Sequence, residues 1–219
     1  MTDYARMVIG TNVDETVGVL QFALNSRNVP MGTGSGERVR SADPAHDAEF
    51  IALRGRSVLS NMFPVEITLD LASVLFPGSA FAAAHGGERR YSSVEHAFQA
   101  AKGYLLLEAG EHRVLDALRA FEASTEPAQA LKKLGGKKGP FAMDELLAAE
   151  WDAASYRVME AACAAKAARS AEFRRALALT GNRVLVHQVR GIIDVRLSHI
   201  LHALRGCETR DSFVCDSKK

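Results

Sequence analysis

The sequence predicts an α+β fold that is predominantly α-helical with a few short strands, and three observations carry that expectation. The 219 residues are 47% hydrophobic yet hold only 10 Phe, 4 Tyr and 1 Trp, so the core is mainly aliphatic and alanine-rich. Such side chains suit close-packed helices better than an all-β sandwich. Helix start and stop signals recur from Ser92 onward. The apolar runs that break the helical period are only a few residues long, as short strands are.

In chain order, Val17–Leu24 mixes two periods and fits a short strand or helix. Asn28–Asp47 is rich in Gly, Ser, Pro, Arg and Asp and reads as a linker or mobile loop. Within it, Gly32-Thr33-Gly34-Ser35-Gly36 invites a nucleotide-loop reading, but Glu37 stands where GxGxxG needs its last glycine, so a flexible loop is expected. Phe50–Leu53 and Glu66–Leu71 are expected as strands on either side of the turn Ser60-Asn61-Met62-Phe63-Pro64. After the polar loop His85–Arg90, Ser92 and Glu95 supply an S-x-x-E capping box. Behind it runs a helix with Val94, Ala97, Phe98, Ala101 and Leu105 as its apolar positions.

Further helices are expected over Glu111–Phe121, Pro127–Leu134, Met143–Lys166, Ala171–Leu179 and Val195–Leu204, with a strand at Val184–Val189. Gly135-Gly136 and Thr180-Gly181-Asn182 are helix stops. The expected organisation is a flexible extension over residues 1–48, one compact domain over 49–205 and a disordered tail over 206–219.

Composition removes several function classes. Lys+Arg is 27 against Asp+Glu 26, a net charge of +1, so no global field draws nucleic acid or a membrane, and anion recognition must be local. Cys163, Cys207 and Cys215 make no CxxC and fit a reducing compartment. The first ten residues carry Asp3 and Arg6 and do not read as a secretory signal. No apolar segment approaches the roughly 20 residues of a membrane helix. A cytoplasmic protein with no membrane partner is the expectation. His199 and His202 stand at i, i+3 without a supporting Cys or carboxylate set, so no metal is expected. GxSxG, HExxH and Walker patterns are absent.

The chemistry-bearing residues fall into four clusters. Glu95, Gln99 and Lys102 stand at i, i+4 and i+7 and share one helical face. A carboxylate in the first turn is favoured by the aligned N–H groups, and there it can stabilise a cationic transition state or orient a water. The same three residues also fit a solvated face, with Glu95 serving only the Ser92 cap. Asn61 either closes its own turn or binds a ribose or base, with Arg56 reaching a phosphate. Lys132, Lys133, Lys137 and Lys138 surround Gly135-Gly136, fitting either a helix C-terminus or a phosphate cradle. Trp151 is a core filler or a stacking platform for a base.

In this order the clusters resemble the NADAR family of YbiA-like N-glycosidases. The matching segments are Leu59-Ser60-Asn61-Met62-Phe63-Pro64, then Ser92 to Lys102, then Pro127 to Gly135, Trp151 with Val158-Met159, Lys166, and Leu177 to Gly181. The resemblance runs from about Phe50 to Arg205. It implies a small, mainly helical α+β fold and hydrolysis of N-glycosidic bonds without a metal or redox cofactor. The implied substrate is a small nucleotide-like molecule, either a phosphorylated intermediate of riboflavin synthesis or ADP-ribose attached to guanine. An ADP-ribosylated nucleic acid is then an alternative partner. Residue by residue, Glu95 matches the catalytic carboxylate, and Asn61, Gln99, Lys102 and Trp151 match pocket positions. The segment Val186 to Arg196 departs from the family: His187 stands where an acid is expected and no Trp-Gly follows, leaving Asp194 as the candidate second catalytic group.

Overall fold

In a computed structural model of the chain, residues 16–40, 43–189 and 192–208 are described, with backbone alone at 189, 192, 193, 207 and 208. The expectations for residues 1–15 and 209–219, and for Cys207 and Cys215, lie outside that description. The elements are β1 (Val19–Phe22), α1 (Pro44–Ala52), α2 (Gly55–Leu59), β2 (Ile67–Leu69), α3 (Leu71–Leu75), α4 (Ala80–His85), β3 (Arg89–Tyr91) and α5 (Val94–Glu108). A 3₁₀ turn at His112–Val114 leads to α6 (Leu115–Glu122), α7 (Ala128–Leu134), α8 (Glu145–Arg169), α9 (Ala171–Leu179), β4 (Val184–Val189), β5 (Ile192–Asp194) and α10 (Val195–Glu208). The predominantly helical α+β class is therefore as expected. Among the described residues, no helix is long and apolar enough to cross a membrane.

Two compact units emerge, one from Met1–Ser60 with Ser170–Lys219 and one from Asn61–Arg169. In the first unit a three-stranded sheet has the order β1-β4-β5. β1 runs parallel to β4 with Val19 opposite Val184, and β5 returns antiparallel with Asp194 opposite His187. Val184, Leu185 and Val186 are all buried, the uniform apolar run expected of a strand covered on both faces. β1 corrects the expected extension over residues 1–48: Val19, Leu20 and Phe22 are core residues of the sheet. The segment that follows is tied down as well, because Met31 is buried and its N–H donates to Asp47.

Phe50–Leu53, expected as a strand, belongs instead to the end of α1. The reason is local. Asp43 caps the helix by accepting from the Ala45 N–H at 2.8 Å, and Pro44 occupies its first turn, a combination that starts helices. Arg54 then takes a left-handed φ of 53° and turns the chain into α2.

In the second unit α5 is the central element, buried over most of its length and packed by α3, α6, α7 and α8. β2 and β3 pair antiparallel, Ile67 opposite Tyr91. Tyr91 and Tyr104 both donate to Oε1 of Glu122, at 2.9 and 2.8 Å, joining β3 and α5 to α6. Burial first, and the Glu122 charge second, push both phenols well above their ordinary value.

Lys166 on α8 is 1% exposed, with Nζ 5.6 Å from the centroid of the Phe63 ring. Burial pushes its ammonium from 10.5 down to about 7, against a smaller opposing effect of Cys163. Its folded pKa lies below the unfolded one, so between about 7 and 10.5 the unfolded chain binds the extra proton and stability rises with pH. Thermal unfolding at pH 7 and pH 9 is expected to show that rise in the wild type and a flatter profile in Lys166→Met. Equal slopes for the two proteins would refute it.

Candidate active site

The helix that carries Glu95 starts one residue later than the capping box suggested. Ser93, not Ser92, is the N-cap, and its Oγ accepts from the His96 N–H at 3.1 Å. Ser92 turns to the imidazole of His96, with its N–H 3.2 Å from Nδ1. Nε2 of that ring lies 2.9 Å from the Phe121 carbonyl, so these partners fit the neutral tautomer protonated at Nε2. Burial holds His96 below its ordinary value. The one-residue shift puts Glu95 at the second helical position, where it does not reach back to close a box with its cap.

Glu95 is instead inside the protein. It is 2% exposed, Gln99 4% and Asn61 5%, which rules out the solvated-face reading of this stripe. The Glu95 N–H donates to the Asn61 carbonyl at 2.9 Å. Asn61 Nδ2 donates to Oε2 of Glu95 at 2.5 Å, and Gln99 Nε2 donates to Oε1 at 2.8 Å. One carboxylate is thus gripped by two side-chain amides, one from the turn after α2 and one from a helical turn further along α5. The other ends of those amides, Asn61 Oδ1 and Gln99 Oε1, are buried with no hydrogen-bond partner among the described residues. Leaving two buried acceptors unmatched is unfavourable by about 1–3 kcal/mol each, a local conflict typical of functional sites.

Lys102 completes the stripe. Its Nζ donates to the Gly135 carbonyl at 3.0 Å and stands 5.7 Å from the centroid of the Trp151 ring. Burial lowers the Lys102 pKa, the Glu95 charge opposes that, and Lys132 adds to the lowering. Trp151 is also met edge-on by Phe98 at 4.8 Å between centroids. Asn61, Glu95, Gln99, Lys102 and Trp151 therefore form one connected cluster in the second unit. Phe98 and Gly135 were not singled out as site residues in the sequence. Both had a signal: Phe98 lies about one turn from Lys102 on the helix already selected, and Gly135 stands among the lysines of the phosphate-cradle reading and closes a segment that matches the family.

Gly135 is where a side chain cannot fit. A Cβ there would lie 2.5 Å from Gln99 Oε1 and 2.7 Å from Gln99 Cβ, and the latter is anchored to a buried helix. Gly135→Ala is expected to push the Gln99 amide off Glu95 and reduce activity at least tenfold, and to lower the thermal midpoint by a few degrees, since the Gln99 Cβ sits on a buried helix that resists the shift. Activity equal to wild type would show that the Gln99 contact is dispensable. The lysines around this glycine fit the helix-end reading, since Lys132 and Lys133 occupy the last turn of α7.

The remaining two candidates belong to the first unit, where other partners hold them. Arg56, expected to reach a phosphate, is 3% exposed and bound to both carboxylate oxygens of Glu37, at 2.9 Å and 2.8 Å from Nη2. Its other N–H groups go to Glu37 and the Val29 and Pro30 carbonyls. That guanidinium is occupied in holding a loop. Asp194 accepts from the Leu197 N–H at 3.1 Å at the start of α10, and its Oδ2 is 3.8 Å from His187 Nδ1. Burial opposes its charge, but His187 and the Leu197 N–H outweigh that and hold the carboxyl below its ordinary value. His187 stacks on Phe22 at 5.1 Å. His202 accepts from the Leu185 N–H at 3.1 Å, and burial with Arg205 and His199 pushes it down to about 4.

No curated protein matches this sequence. Among solved structures, the NMR structure of the E. coli protein YbiA is similar, with a TM-score of 0.51 and 16% identity, covering 94% of this chain and 92% of that one. That likeness is one of fold. The profile of the NADAR domain matches residues 52–190, a span that holds Asn61, Glu95, Gln99, Lys102 and Trp151 and well over half of the chain. The chain belongs to the NADAR family.

Proposed function

We propose that this protein is a hydrolase that cleaves the N-glycosidic bond of a phosphorylated N-riboside or of an ADP-ribosylated nucleobase. The observation that carries the reading is the Glu95 carboxylate, nearly inaccessible to water and fixed at both oxygens by Asn61 and Gln99. When a ribosyl C–N bond breaks, its electron pair leaves with the base nitrogen and positive charge builds at the sugar carbon. A preoriented carboxylate in a water-poor setting stabilises that charge more than it stabilises the neutral ground state. Water then adds its oxygen to the sugar carbon, and its proton goes to the departing base. Lys102 supplies local positive charge for a phosphate, and Trp151 a flat face beside it. The exchange is between substrate and water, so the reading calls for no electron carrier.

The test is chromatography for free base released from an N-riboside 5-phosphate, and for free ADP-ribose released from an oligonucleotide carrying ADP-ribosylated guanine. Turnover of either supports the reading; no free base from the first together with no ADP-ribose from the second sinks it. Steep loss of activity with salt, seen for the oligonucleotide alone, would identify a nucleic-acid substrate.

A second reading, a catalytically impaired module that binds ADP-ribose or a related nucleotide, draws on Asp194. The candidate second catalytic group is engaged as a helix cap and faces His187. Calorimetric binding of ADP-ribose with no turnover of either substrate would favour it.

A further inference from the structure

The first unit holds a cavity of about 480 Å³ lined by β1, the loop that follows it and α2. That size falls within the range of small-molecule sites. Its wall is rigid because the charges in it are matched internally. The Glu37 side chain is 1% exposed, and its Oε2 accepts from the Gly32 and Gly34 N–H groups, each at 2.9 Å. Its Oε1 accepts from the Gln21 N–H at 3.0 Å, and both oxygens accept from Arg56. Arg56 in turn ties down the Val29 and Pro30 carbonyls. This buried pair therefore shapes the loop and adds no net charge to the cavity.

The groups left facing the cavity are different. Arg27, Gln21, Ser26 and Ser35 also line it, and their side chains have no hydrogen bond among the described residues. One cation, one amide and two hydroxyls, set on a preorganised wall, match a ligand with one anionic group and several hydroxyls. Inorganic phosphate alone would leave most of the volume empty. The lining loop precedes residue 52, where the NADAR match begins, so the family match does not assign it.

We propose that this cavity binds a small polyhydroxylated anion, a sugar phosphate or a sugar acid, through Arg27 and the polar groups beside it. The proposal stands whether or not Glu95 hydrolyses anything.

Calorimetry on the full chain with ribose 5-phosphate, gluconate and neutral ribose tests it. At least one anion is expected to bind about tenfold or more tightly than ribose, and the stronger of the two identifies the anionic group. Arg27→Gln, at an exposed position, is expected to erase that preference without lowering the thermal midpoint. Glu95→Gln is expected to leave the preference in place. Ribose binding as tightly as both anions would overturn the proposal. So would no detectable anion binding at about 10 mM, or a preference that survives Arg27→Gln or disappears with Glu95→Gln. Arg27-dependent binding in a protein that cleaves neither substrate would overturn the hydrolase reading alone.

Discussion

Glu95→Gln is expected to lower kcat/KM for N-riboside hydrolysis by about a thousandfold or more, the scale on which a preorganised transition-state contact is lost. The side chain keeps its size and loses its charge. What makes this variant informative is the geometry around it. Asn61 and Gln99 donate through their NH₂ groups to Glu95, while their own carbonyl oxygens lack partners. A neutral amide at this position presents an NH₂ that faces a donor, and rotation of Asn61 or Gln99 about its terminal bond turns an unmatched carbonyl to meet it. The fold is therefore expected to survive with a thermal midpoint near that of wild type, while catalysis fails. Glu95→Ala is less clean, because it leaves both amides without their acceptor and removes packing from α5. The measurement is steady-state kinetics alongside thermal unfolding. A folded Glu95→Gln protein that retains wild-type kcat/KM would end the assignment of Glu95 as the catalytic carboxylate.

Glu37→Ala is expected to cost about 3–5 kcal/mol of stability, because it strands a charge that the fold has buried. The Arg56 guanidinium is 3% exposed and Glu37 1%, so water cannot replace the carboxylate without opening the loop. The Gln21, Gly32 and Gly34 N–H groups lose their acceptor in the same step. For a chain of this size that corresponds to a fall in thermal midpoint of roughly 10 °C. The double variant Glu37→Leu with Arg56→Met is expected to recover much of the loss, since removing both charges removes the desolvation penalty that neither partner alone can offset. Urea unfolding of the three proteins decides it. A loss under about 1 kcal/mol for Glu37→Ala would mean that the pair is effectively solvated and that the loop after β1 adds little to the first unit.

The elements legible in the sequence are those whose signals lie within a few residues of one another. The apolar spacing in Val94–Glu108, the buried run at Val184-Leu185-Val186 and the alignment of Glu95, Gln99 and Lys102 on one face follow from helix and strand periods alone. The family, too, was legible in local segments. The sequence misled where two local signals competed. Phe50–Leu53 has the apolar content of a strand, but Asp43-Pro44 start a helix that runs into it. Ser92 and Ser93 both suit a cap, and the pairing of Ser92 with His96 leaves the role to Ser93.

Local periods and composition are enough to put a carboxylate, an amide and an amine on one helical face and to make the chain mainly helical. That the face is buried follows from the packing of the folded chain, because its partners are distant in sequence. Asn61 meets Glu95 across 34 residues, the Gly135 carbonyl meets Lys102 across 33, and Glu37 meets Arg56 across 19. No period or cap encodes such pairs. They form when packing brings the segments together and removes the water that would otherwise satisfy each group, and burial is what turns a common surface pattern into a candidate active site.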